Sequence, residues 1–209
     1  IVVPSPTKVC YACVYVDVGS RNETKQEHGL THFLEHMVFK GTSSYPTANS
    51  LTRAVERLGA SINAWTSKEK TAYHCTVSGR RSYVSKVIHV LSELTYGARL
   101  AGEDYIMEKK IIIEELKNGR DSPWNLLSEA NAGLLFPKSH PMCKNIIGTV
   151  SGLQKQRVEN MRLFYRTHYI PTNVTVVVCA PDNIPALKYI QKYFAHVKNT
   201  HVLSPTRNF

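Results

Sequence analysis

The stretch HFLEHMVFKGT at residues 32–42 limits most sharply what this chain can fold into. Apolar residues at Leu30, Phe33, Leu34, Met37 and Val38 recur at helical spacing, so one side of a helix over 28–40 has to be buried. The other side carries His32, Glu35 and His36, three and four residues apart and therefore on a shared face. Gly41 stands where a helix-ending glycine is favoured. A fold built on this segment must pack one face into a core and leave the other open to ligands.

Two imidazoles and a carboxylate on one face suit a zinc ion, and their order is the inverse of the common H-E-x-x-H signature. Two neutral histidines and one carboxylate leave a fourth position for water, which the metal acidifies to a nucleophile near neutral pH. Glu35 then serves as general base, taking the water proton and handing it to the leaving amine of a peptide. This chemistry needs a third ligand from elsewhere in the chain.

The segment GEDYIMEKKIIIEELKNGRDSP supplies candidates. It reads as a helix starting near Glu103 and Asp104, stopping at Asn118-Gly119, with an apolar series at Ile106, Met107, Ile111, Ile112 and Leu116. Glu108 and Glu115 lie seven residues apart on one face, and either could reach a neighbouring helix. Glu114 projects about 100° away from Glu115. It is the one-residue alternative.

Two further segments frame the helices. YACVYVDVGS alternates apolar with small or polar residues and ends in Gly-Ser, the pattern of a strand entering a loop. ASINAWTSKEKTAYHCTV reads as two strands joined by the polar turn SKEK. Trp65, in the first of them, is as readily a core residue as a surface one.

Five segments, GSRNE, HGLTHFLEHMVFKGT, INAWTSKEKTAYHCTV, EKKIIIEEL and YRTHYIPTNVTVVV, follow one another between about residues 10 and 180. In sequence and order they resemble the N-terminal catalytic domain of the pitrilysin/insulinase family of zinc metallopeptidases, nearest its small bacterial and mitochondrial-processing-peptidase-like branch. The resemblance implies that His32 and His36 are ligands of one zinc ion, Glu35 the catalytic base and Glu115 the distal third ligand. It further implies that Glu108 assists by hydrogen bonding near the zinc water and the histidines. Asn63, Ala64 and Trp65 would lie on an edge strand and pair their backbone with an extended peptide substrate, a mode that reads main chain rather than sequence.

Family members build the working chamber from two such domains, the second supplying residues such as an arginine and a tyrosine. Nothing after residue 180 is expected to form it. The expected partner is therefore a second domain of the same family, in cis or as a homo- or hetero-oligomeric subunit, and 1–209 is expected to be a single domain. The competing reading is a non-catalytic structural subunit of the same fold, a class that typically loses its zinc ligands.

The coarse order of elements is a strand over 9–18, helices over 28–40 and 47–58, a hairpin over 60–78 and helices over 80–98, 102–118 and 122–135. A loop from Pro137 to Ser151, a helix over 153–168, the strand VTVVVCA and a helix over 183–195 follow. Such interleaving predicts an α+β fold, one mixed and mainly antiparallel sheet with helices packed on one face as a two-layer sandwich. At 209 residues and 43% hydrophobic content the chain can bury a core of its own.

The net charge of +10 raises nucleic acid or an acidic membrane as partners, but the basic runs are scattered and no aromatic-rich basic groove emerges. Neither is expected. VTVVVCA is far too short to span a membrane. Five cysteines, mostly within strand-like apolar runs, favour free buried thiols in a reducing compartment, hence cytoplasm or an organelle matrix. Cys10 and Cys13 have C-x-x-C spacing, yet in a strand they face opposite sides and no second pair completes a zinc knuckle. IVVPSPTKVC lacks the charged start and long apolar run of a secretion signal.

Overall fold

The computed structural model of the protein describes residues 1–119 and 122–197, so the end of the expected domain, 198–209, lies outside the described residues. Its centre is a five-stranded sheet formed by β1 (Val2–Pro4), β2 (Val9–Val16), β3 (Ser61–Thr66), β4 (Thr71–Ser78) and β5 (Val174–Ala180). The strands lie in the order β1-β5-β2-β4-β3. Only β1 and β5 run parallel; the other neighbouring pairs are antiparallel. The alternation in the sequence sets which face is covered. Cys10, Ala12, Val14 and Val16 of β2 point into the core, while Val9 and Tyr11 are exposed on the other side.

Among the described residues, eight α-helices complete the fold: α1 (Leu30–Val38), α2 (Ala48–Glu56), α3 (Arg81–Tyr96), α4 (Gly102–Gly119), α5 (Pro123–Leu135), α6 (Val150–Lys155), α7 (Val158–His168) and α8 (Ala186–Phe194). With the mixed open sheet they make the expected α+β fold. α3 packs against β2 and β4, α1 and α2 against β3, and α8 against β5. Among the described residues no helix is long and apolar enough to cross a membrane.

Two local expectations change, and one strand is added. The helix over 153–168 is two, because Gln156 and Arg157 are extended. Lys109 holds this break by donating to the carbonyls of Gln154 and Gln156, and the Gln156 side-chain Nε2 donates to the Gln26 carbonyl. The inward stripe of α4 is Tyr105, Glu108, Ile112 and Leu116, whereas Ile106, Met107 and Ile111 are exposed. A 3.6-residue period through Glu108 selects the first set; a carboxylate sits where apolar character alone would put isoleucine. Strand β1 has no sequence signature, being three residues long and exposed at the sheet edge.

All five cysteines are free. Burial pushes the Cys10 thiol up to about 11 and that of Cys75 to about 12, which makes both poor nucleophiles.

Candidate metal centre

Helix α1 owes its place to its apolar residues: Leu30, Phe33, Leu34, Met37 and Val38 are completely buried. With that face fixed, His32 and His36 stand side by side on the opposite face, ring centroids 4.7 Å apart. Helix α4 crosses α1 and brings Glu115 to them. His32 Nε2 lies 3.7 Å from Glu115 Oε1 and His36 Nε2 3.6 Å from Glu115 Oε2. One ligand atom from each of the three falls within 4.8 Å of the others.

The donor set fits zinc. Ligand atoms at ordinary zinc bond lengths in a tetrahedron lie about 3.4 Å apart, and each histidine–glutamate separation, to a different carboxylate oxygen, is within a few tenths of an ångström of that. Burial, with His36 next to it, lowers the His32 pKa to about 4 and keeps that imidazole neutral as a ligand must be. Glu114, one residue away, is exposed and paired with Lys117.

Each histidine is oriented differently. His36 Nδ1 is 3.0 Å from Glu108 Oε1, which directs its Nε2 towards Glu115. Glu108 is 4% exposed and also meets Lys40. Burial works against ionisation of Glu108, yet His36 and Lys40 outweigh it and hold its pKa below the usual carboxylate value. For His36 burial likewise opposes charge, but the Glu108 bond and the Glu115 and Glu35 carboxylates raise its pKa. His32 is held by packing, its side chain only 14% exposed.

Glu35 projects from the same helix towards the end of β3, where the Thr66 hydroxyl donates to its Oε2 at 2.5 Å. Burial raises the Glu35 pKa against the opposing Thr66 bond and His36, and Glu115 adds to the rise. A raised carboxylate pKa is the condition under which a base can both take and return a proton near neutral pH. Thr66 and Lys40 fall within the segments INAWTSKEKTAYHCTV and HFLEHMVFKGT, but no sequence periodicity marks a hydroxyl or an ammonium that meets its partner across elements.

Among the described residues, strand β3 is a sheet edge, paired only with β4. Asn63 and Trp65 lie on its outer side with Ser61, and Ile62, Ala64 and Thr66 turn towards the helices. Trp65 is 41% exposed and meets Tyr15 edge-on, so it is not a core residue. The Ala64 amide donates to the Asn63 side chain at 2.8 Å. Beside the centre opens a cleft of about 700 Å³ whose lining includes His32, Thr66, Lys68, Glu115, Leu126 and Ile147.

The family model for insulinase (peptidase family M16) matches residues 2–133. The chain belongs to the insulinase family. A Bacillus subtilis relative named as the uncharacterized zinc protease YmxG is 31% identical over 185 residues, covering 87% of this chain and 43% of that protein. The mitochondrial-processing peptidase subunit beta of Caenorhabditis elegans is 29% identical over 187 residues, covering 89% of this chain and 40% of that one. Among solved structures, a protease from Helicobacter pylori superposes with a TM-score of 0.89 at 26% identity, over 100% of this chain and 50% of its own. Pitrilysin, at 23% identity and a TM-score of 0.81, shares the fold. The chain thus spans less than half the length of these curated insulinase relatives.

Proposed function

We propose that this chain is the zinc-bearing half of an insulinase-family endopeptidase. The observation that carries the reading is the convergence of His32, His36 and Glu115 with Glu35 on the same helix face. Zinc bound by the three side chains would acidify water and polarise the scissile carbonyl.

The rest of the chemistry belongs to the chain. Glu35 accepts the water proton and returns it to the departing amine, and Thr66 holds its carboxylate in place. Glu108 keeps His36 in the tautomer whose Nε2 is free for the metal. A peptide adds to β3 as a further strand, with the backbone of Asn63, Ala64 and Trp65 as its template. Its carbonyl would replace the Asn63 side chain on the Ala64 amide, so the edge is capped until substrate arrives. The second half of the chamber comes from another domain of the family, in the same polypeptide or in a partner subunit, and cleavage requires it.

The test is made on the full-length polypeptide, or on this chain combined with its partner subunit. Bound zinc is counted by mass spectrometry, and cleavage of unstructured peptides is compared between wild type and Glu35→Gln. One zinc per chain and a loss of cleavage in the zinc-loaded variant are expected. Absence of zinc, or cleavage that survives the substitution, leaves the non-catalytic structural subunit as the reading.

A further inference from the structure

Glu23 has no part in the chemistry described above, yet it is one of the few buried carboxylates, 3% exposed. Its Oε2 accepts the Gly29 amide at 2.9 Å and its Oε1 the Thr31 amide at 2.7 Å. These amides belong to the start of α1, where a helix leaves donors unsatisfied. The N-cap residue, Gly29, has no side chain to meet them. It cannot have one, because φ is +91° and an added Cβ would lie 2.6 Å from the Ile147 carbonyl. The cap is therefore supplied from outside the helix.

The segment that carries Glu23 is itself fixed. The amides of Ser20 and Arg21 donate to the carbonyls of Ser67 and Lys68, and Arg21 pairs with Glu69. Gly19 packs so closely on this turn that a Cβ would meet the Glu69 nitrogen at 2.4 Å. The turn follows Thr66, the residue that holds Glu35. Through Glu23, the end of β3 and the start of the histidine-bearing helix share one connection.

We infer that Glu23 is a positioning residue, a carboxylate clamp that sets the placement of α1, and with it His32 and His36, against β3 and Glu115. The functional consequence rests on the zinc reading; the clamp itself rests on the two amide bonds. Burial outweighs the two amide bonds and raises the Glu23 pKa to about 7; both carboxylate oxygens nonetheless lie on amides at the start of α1 and fix its direction.

The experiment compares the full chain with Glu23→Gln and Glu23→Asp. Glutamine matches the shape but turns one N–H donor towards the amides, and aspartate keeps the charge with shorter reach. Zinc affinity is measured by competition with a chromophoric chelator, and backbone hydrogen exchange is read on the metal-free protein. The clamp predicts about tenfold weaker zinc binding in Glu23→Gln, a smaller loss in Glu23→Asp, and faster exchange confined to Gly29–Thr31. Zinc binding within twofold of wild type in a folded Glu23→Gln overturns it. So does faster exchange spread through the whole chain in both variants, the mark of a purely structural role. Should wild type bind no zinc, the peptidase reading fails, and the clamp is decided by exchange alone: protection at Gly29 and Thr31 lost in Glu23→Gln sustains it, protection kept overturns it.

Discussion

Helices α1 and α5 border the same centre and are held in opposite ways. Six of the nine residues of α1 are buried, and both its ends are tied by carboxylates, Glu23 at the start and Glu108 near the finish. α5 has no buried residue although Trp124, Leu127, Leu134 and Leu135 are all large and apolar. Between them, α4 buries Glu108 and leaves the side chain of Glu115, on the same face, 48% exposed. The centre therefore has a rigid histidine side and a looser carboxylate side. Packing is concentrated where the ligand atoms must not move, whereas the cleft wall formed by α5 buries none of its own residues.

The strongest way to break this contrast is to remove ligands one at a time. His32→Ala takes away a packed donor that pays almost no ordering entropy on binding, and roughly a thousandfold loss of zinc affinity is expected. Glu115→Gln removes a half-exposed side chain that must be ordered when zinc binds, so a loss nearer tenfold is expected. Equal losses in chelator competition would show the two sides to be equally preorganised.

Stability separates the helices next. Leu34→Ala empties a fully buried site in α1 and should cost about 2–5 kcal/mol. Leu134→Ala in α5, 85% exposed, should fall within about 0.5 kcal/mol of wild type. Denaturant midpoints measured on the same preparation compare them directly. A large cost at Leu134 would mean that α5 packs more tightly than its exposure indicates.

The same contrast governs what could be read from the chain. The sheet, its helical layer and the inward face of α1 follow from periods of two and 3.6 residues, which burial enforces. That periodicity also turns Glu114 away and leaves Glu108 and Glu115 on one face. It fails where polar contacts decide. The kink at Gln156 depends on Lys109 from another helix, and Glu108 occupies an inward position because His36 and Lys40 receive it. Glu23 ends the GSRNE segment, and the sequence assigns it no role because its partners are backbone amides, which any residue provides. α5 shows the reverse failure: it reads as an ordinary apolar helix, but nothing in its composition tells that none of it is buried.

A pH series sharpens the rigid side. Glu23 has its folded pKa raised from 4.5 to about 7, so the folded state holds the proton more tightly. Its contribution is then full below about 4.5 and is lost as pH rises through 7. Between pH 5.5 and 7.5 that amounts to about 2 kcal/mol. His32 acts oppositely, its lowered pKa removing stability as pH falls from 6.5 towards 4. The groups facing Glu23 are Glu27 on its own segment and Lys68 on the hairpin turn, besides the α1 amides. Subtracting the Glu23→Gln stability curve from that of wild type, both metal-free, isolates the effect. A flat difference would mean that Glu23 is ionised in both folded and unfolded chains.

Glu108→Gln tests the smallest step, whether charge or mere hydrogen bonding orients His36. Glutamine can still accept from His36 Nδ1 through its amide oxygen, so the ring keeps its direction. What disappears is the carboxylate that raises the His36 pKa and neutralises Lys40. Ligand basicity falls with it, and zinc affinity should drop only about tenfold, the low end for such outer partners. Glu108→Ala loses the acceptor as well and should fall further. If the two variants bind zinc equally, the carboxylate charge alone sets the histidine's strength and its orientation comes from helix packing; if Gln matches wild type, orientation is all that Glu108 provides.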